Sequence, residues 1–217
     1  MLSDRLRVLY LLGFASSPAS RKATFFAAKL RELGFSVDIP ELAEDDFRNL
    51  TITGQLRVIE RSANNEPVIL IGSSMGGYLA SLYAARHPEV DRLILLAPAF
   101  AFHELWVSKM STGELERWKN DGSVDVFHYG TGREMPLSYG LLEDASRYEA
   151  FPAFTQPALI FHGEADTSVP IEYSVDFIKL HPNAHLVHLV SDHELTDVLD
   201  RIWQDSQHFL SAGAVRI

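Results

Sequence analysis

Short, unbroken apolar runs alternate along this chain with longer stretches in which apolar positions recur every three or four residues. Residues 7–12 (RVLYLL), 68–71 (VILI), 92–97 (RLILLA) and 158–161 (ALIF) are of the first kind, too short for helices and rich in strand-forming side chains. Residues 35–39, ended by Pro40, and residues 186–190 read as two further strands. Among the periodic stretches, Phe25, Phe26, Leu30 and Leu33 share one helical face, with Ser17-Pro18 as N-cap and first helical residue and Gly34 just past the end. Ile52, Leu56 and Ile59 mark a helix over 51–63, and a small-residue helix over 74–86 is closed by His87-Pro88. Residues 171–180 and 194–210 complete the helices. Strands apolar on both faces, alternating with helices, predict an α/β three-layer sandwich with a mostly parallel sheet of about six strands.

One segment departs from this rhythm. Residues 99–155 contain no strong apolar strand but carry Phe100, Phe102, Trp106, Trp118, Phe127, Tyr129, Tyr139 and Tyr148. Within it, 124–129 and 134–141 flank Gly130-Thr131-Gly132 and read as a β-hairpin. So long an insertion in a compact domain predicts a cap or lid over a binding site, following the strand after the small-residue helix.

Composition narrows the function classes. A chain of 217 residues supports one well-buried core, so residues 1–217 are taken as a single domain. A net charge of -10 argues against nucleic acid and against an anionic membrane surface, both of which need clustered Lys and Arg. No apolar run approaches the roughly 20 residues of a membrane span. Arg5 and Arg7 precede an apolar stretch over 8–14 that outlines a short signal peptide, but Gly13 interrupts it and a first strand accounts for the same residues. The absence of Cys excludes disulfide and thiolate chemistry and fits a cytoplasmic protein. Nothing in the composition fixes the oligomeric state.

The chemistry begins at Gly72-Ser73-Ser74-Met75-Gly76-Gly77, directly after the apolar run 68–71. A nucleophile on a sharp strand-to-helix turn needs minimal bulk two residues before and two after it, the pattern Gly-x-Ser-x-Gly. Centred on Ser74 the flanks are Gly72 and Gly76; centred on Ser73 they are Ile71 and Met75. Ser74 is therefore the candidate nucleophile and Ser73 a packing residue. A serine hydroxyl needs a base, and the base an orienting acid, in the chain order serine, acid, histidine. After the strand 158–161 comes His162-Gly-Glu-Ala-Asp166, which makes Asp166 the candidate acid with Glu164 as runner-up. After the last strand comes Ser191-Asp192-His193-Glu194, with His193 as candidate base. Ser191 and Glu194 have capping-box spacing and place His193 in the first turn of the last helix. The histidines at 181, 185 and 188 do not form a metal-binding set, because Pro182 and the strand assignment send His185 and His188 to opposite faces. Two backbone N–H groups complete the site: Met75 after the serine, and Phe14 in the loop after the first strand, with Ala15 as fallback.

Taken together, LLGFASSP, IGSSMGGYLA, FHGEADTSVP and VSDHEL resemble the α/β-hydrolase superfamily over nearly the whole chain. Within it, the chain is similar to small bacterial esterases of the YqiA/YcfP type and to the mitochondrial acyl-protein thioesterase-like serine hydrolases. The resemblance implies a trimmed version of the family's eight-stranded sheet, lacking the first antiparallel hairpin. It also implies a triad of Ser74, Asp166 and His193 with an oxyanion hole at Phe14 and Met75. Two departures stand out: Leu12-Gly13 replaces the His-Gly of many members, and the 99–155 insertion is longer than in YqiA-type members. The reading is a hydrolase of small-molecule esters or thioesters needing no metal or organic cofactor. Its acyl pocket would be walled by Trp106, Trp118, Tyr139 and Val169 and would prefer uncharged acyl groups of medium length. A C–C bond hydrolase or lyase on the same triad, and a non-catalytic binding protein, are the alternatives.

Overall fold

The computed structural model describes residues 7–211; Arg5 lies outside them. In its first half the chain runs through β1 (Arg7–Leu11), α1 (Arg21–Glu32), β2 (Val37–Asp38), a 3₁₀ turn (Phe47–Asn49), α2 (Ile52–Ala63), β3 (Val68–Ser73), α3 (Met75–Ala84) and β4 (Val90–Leu96). It continues through α4 (Phe102–Lys109), α5 (Thr112–Asp121), β5 (Ser123–His128), β6 (Arg133–Ser138), α6 (Gly140–Ala145), β7 (Ala158–Gly163), α7 (Glu172–Leu180), β8 (Ala184–Leu189) and α8 (Leu199–Ser211).

Six strands form one sheet in the order β2-β1-β3-β4-β7-β8, every pairing parallel. Alternate side chains of the central strands feed two cores. Val8, Tyr10, Ile69, Ile71, Ile94 and Phe161 pack with Phe26 and Leu30 of α1 and Ile202 and Trp203 of α8. Leu9, Leu11, Val68, Leu70, Leu93, Leu95 and Ile160 pack with α2, α3 and α7 on the other face. Each such side chain contributes about 1.5–3 kcal/mol relative to exposure, which explains why these strands read as continuous apolar runs. The strand order reverses beside β1, with β2 on one side and β3 on the other. A crevice therefore opens beyond the C-terminal ends of β1 and β3, the place where open α/β sheets bind ligands.

The segment between β4 and β7 folds as three helices and a separate two-stranded antiparallel sheet of β5 and β6, with Phe127 opposite Glu134. Its helices are held by Ser111, which makes a full capping box with Glu114, and by the Trp118 indole N–H, which donates to the Leu137 carbonyl at 2.9 Å.

Helix boundaries differ from the sequence reading in two places. Helix α1 starts at Arg21, not at Pro18, because Ser17 to Ser20 closes a turn (Ser20 N–H to Ser17 C=O, 2.9 Å) and Ser20 takes the cap, accepting from Ala23 N–H. Its far end follows the expectation: Gly34, at φ 83°, ends it, with Phe35 N–H reaching back to the Leu30 carbonyl. Helix α8 starts at Leu199, not at Glu194. Ser191 does not cap Glu194; its hydroxyl bonds Asp197, the Glu194 N–H is taken by the Asp192 side chain, and Leu195 sits at φ 54°. His193 therefore lies in a loop ahead of the helix.

Candidate active site

Ser74 occupies the junction of β3 and α3 with φ 53° and ψ -119°. A serine there costs about 1–3 kcal/mol and persists only where its surroundings hold it. Here the Ser74 N–H donates to Leu96 C=O at 2.8 Å, and the Ser74 carbonyl accepts from the N–H groups of Gly77, Tyr78 and Ala99. The flanking glycines are required by contact: a Cβ on Gly72 would lie 2.3 Å from Gly76 O, and one on Gly76 would lie 2.2 Å from Leu11 O. Ser73, one residue earlier, is buried in the last position of β3 beside the Tyr10 hydroxyl.

His193 reaches Ser74 from the loop after β8. Its Nε2 lies 3.1 Å from Ser74 Oγ and its Nδ1 2.7 Å from Asp166 Oδ2. The loop is laced to the turn after β7 by Glu164 N–H to Leu189 C=O (2.8 Å) and Ala165 N–H to Ser191 C=O (3.0 Å). On its other side, Lys22 of α1 donates to the His193 carbonyl at 3.4 Å and lies 3.8 Å from the Glu194 carboxylate. Burial pulls the Lys22 pKa down, against the opposing pull of Glu194, Asp166 and Asp192.

Asp166 has no exposed side-chain surface. Its Oδ1 accepts from Ser168 N–H (2.8 Å) and Val169 N–H (2.7 Å). Burial pushes its pKa up, but His162 and His193 beside it and the Val169 amide outweigh that and hold the carboxyl well below the ordinary carboxylate range. Glu164, the alternative acid, is exposed, 3.9 Å from His188. His181 is buried apart from His188, its ring nitrogens facing the Phe177 and Pro152 carbonyls.

A cavity of about 760 Å³ opens over Ser74. Phe102, Leu105, Trp106 and Met110, all from α4 and its end, form an apolar wall with Phe14 and Val169; Ser16, Lys22, Glu194 and Thr196 form a polar one. Of the four expected pocket residues, Trp106 and Val169 line the cavity. Trp118 and Tyr139 do not: Trp118 is buried behind Trp106, ring centroids 5.7 Å apart, and Tyr139 sits behind Trp118 at 5.6 Å. The Phe14 and Met75 amides, at the ends of β1 and β3, make no backbone hydrogen bond among the described residues, and both residues line the cavity. The sequence reading did not single out Lys22, Tyr10 or His162. Their only signal is a polar side chain at a position whose neighbours along the strand or helix are buried.

Parallel sheet, strand-turn-helix serine and a late-strand carboxylate beside a loop histidine are together the α/β-hydrolase fold. Solved structures agree. Est1E from Butyrivibrio proteoclasticus with ferulic acid bound superposes with a TM-score of 0.83 at 21% identity, covering 98% of this chain and 90% of that one. Mouse alpha/beta hydrolase domain-containing protein 10 does so with a TM-score of 0.75 at 19% identity, covering 95% and 90%. More particularly, the chain belongs to UPF0227, described as an uncharacterised protein family, whose model matches residues 7–210. It is also 30% identical over 136 residues to monoacylglycerol lipase abhd6-A of Xenopus laevis, covering 59% of this chain but 37% of the lipase. The match thus spans little more than a third of that relative's length. Among the described residues no helix is long and apolar enough to cross a membrane.

Proposed function

We propose that this chain is a serine hydrolase of small carboxylic esters or thioesters, working through an acyl-enzyme on Ser74. The observation that carries the reading is the continuous hydrogen-bonded line Ser74 Oγ–His193–Asp166, at 3.1 and 2.7 Å. His193 Nε2 takes the Ser74 proton as Oγ attacks the carbonyl and returns it to the leaving group; water then repeats the cycle on the acyl-enzyme. Asp166 keeps the hydrogen on Nδ1 and stabilises the imidazolium. The Phe14 and Met75 N–H groups receive the oxyanion, each worth roughly 3 kcal/mol. The 99–155 segment acts as a cap, and its apolar α4 wall takes an uncharged acyl chain. The leaving group lies toward the polar wall near His193. The lipase activity in the name of the abhd6-A relative, and the ferulic acid held by Est1E, support an ester substrate.

The test is a panel of p-nitrophenyl esters, matched thioesters and a β-diketone, together with fluorophosphonate labelling. Ser74→Ala is expected to lose turnover by on the order of a thousandfold or more and to lose labelling, while Ser73→Ala retains most of both. The reverse result would put the nucleophile at Ser73, and cleavage of the diketone alone would move the reaction to C–C bonds.

A further inference from the structure

Asp166 Oδ2 faces two histidines. Besides His193 Nδ1 at 2.7 Å, His162 Nε2 lies 3.2 Å away. His162 is fully buried near the end of β7, and its Nε2 also faces the Val169 carbonyl at 2.8 Å. A carboxylate and a carbonyl can only accept, so Nε2 carries the hydrogen. Nδ1 is then an acceptor, and among the described residues its hydrogen-bond partner is the Ser174 hydroxyl of α7, fully buried at 2.8 Å, which donates to it. With the Ser168 and Val169 amides on Oδ1 and His193 on Oδ2, the Asp166 carboxylate accepts three hydrogen bonds, and the His162 N–H, bonded to the Val169 carbonyl, adds a polar contact at 3.2 Å.

We propose that His162, oriented by Ser174, is a positioning residue that fixes the Asp166 carboxylate and shares its charge, and so limits how strongly Asp166 stabilises protonated His193. This rests on the hydrolase reading above. The His162 N–H edge, 3.2 Å from the same oxygen that His193 bonds, offsets part of that oxygen's charge; removing it leaves more of the charge to His193, which then holds a proton more tightly. Other charged groups facing this unit are Lys22 from α1, Lys109 from α4, which donates to the Ser168 carbonyl, and Asp192 and Glu194 on the histidine loop itself. Among the described residues none of them hydrogen-bonds Asp166 or His162 directly.

The experiment is the pH dependence of kcat/KM for one short p-nitrophenyl ester. His162→Phe keeps the ring and removes the donor; the acid limb is expected to move up by roughly 0.5–1 pH unit, kcat to fall about tenfold, and KM to stay within about twofold. His162→Gln, whose amide nitrogen can occupy the Nε2 position, is expected to restore the limb toward wild type. Ser174→Ala, which keeps the imidazole but not its orientation, is expected to shift the limb less and in the same direction, and it carries the test where His162→Phe does not fold. An acid limb that stays at the wild-type pH in Ser174→Ala and in whichever His162 variants fold, or a His162→Gln that behaves as His162→Phe, would overturn the proposal. The hydrolase reading is judged separately: loss of fluorophosphonate labelling in Ser74→Ala upholds it whatever the His162 variants do.

Discussion

At the scale of single residues, the site is assembled from groups whose strain or burial is offset by several partners at once. Ser74 holds a left-handed φ because its own N–H and C=O make four backbone hydrogen bonds. Asp166 tolerates complete burial because three hydrogen bonds and the nearby His162 N–H surround its two oxygens. The second case has a measurable consequence for stability. The folded-state pKa of Asp166 lies below the ordinary value near 3.9, so the carboxylate stabilises the fold above about pH 4, and that contribution is lost as pH falls through and below it. Asp166→Asn keeps the shape and one good acceptor but no charge. Urea unfolding from pH 7 to pH 3 is expected to show the wild type more stable by roughly 2 kcal/mol at pH 6, with the gap narrowing steadily below pH 4. A gap independent of pH would mean that the charge of Asp166 does not contribute to the fold.

At the scale of elements, the loop after β1 is supported from an unexpected direction. Leu12 stands where many α/β-hydrolases have a histidine, and here the tip of the β5–β6 hairpin reaches the same loop: Gly130 N–H donates to Ala15 C=O at 3.1 Å. The approach is so close that a Cβ on Gly130 would lie 2.8 Å from Ser17 Cβ and 3.1 Å from Ser16 O. Ala15, at φ 54°, turns the loop just after the Phe14 amide. Gly130→Ala is therefore expected to push the hairpin off the loop and lower kcat on a short ester by about tenfold, since one misplaced oxyanion donor costs that much or more. Thermal unfolding should move only a few degrees; an unchanged kcat would mean that the hairpin does not set the loop. The hairpin itself was legible from alternating residues around Gly130-Thr131-Gly132, as were the buried strands, because burial on both faces leaves a continuous apolar run. The convergence of Ser74, Asp166 and His193 on one edge of the sheet was also legible, since a tight strand-helix turn and the ends of late strands restrict the local sequence. What could not be read was settled by competition among polar side chains. Asp192 takes the Glu194 amide, and Ser20 captures the α1 cap from Ser17. His162, 3.2 Å from Asp166, has its other ring nitrogen on a helix hydroxyl 12 residues further on.

At the scale of the whole molecule, a row of rings ties the proposed cap to the site. Phe47 contacts Phe14 at 5.5 Å, Phe14 meets Trp106 edge-on at 5.2 Å, Trp106 contacts Trp118, and Trp118 contacts Tyr139. The row runs from the 3₁₀ turn through the loop after β1 into α4, α5 and the start of α6, so one continuous apolar layer both lines the cavity and holds the cap together. Its members have different duties. Trp106 is half-buried on the cavity wall, whereas Trp118 is almost fully buried and anchored by its indole N–H. Truncating the two is therefore expected to separate specificity from stability. Trp118→Ala removes a buried ring and a satisfied hydrogen bond and should cost about 3–5 kcal/mol in urea unfolding. Trp106→Ala should cost less and lengthen the apolar wing of the cavity, moving the optimum among p-nitrophenyl esters of two to twelve acyl carbons toward longer chains. Fluorophosphonate labelling of Ser74 should persist in Trp106→Ala, because that reagent does not use the acyl wing. An acyl-length profile in Trp106→Ala that superimposes on the wild type would remove this ring from the substrate's path, and with it the main support for the segment between β4 and β7 acting as a cap.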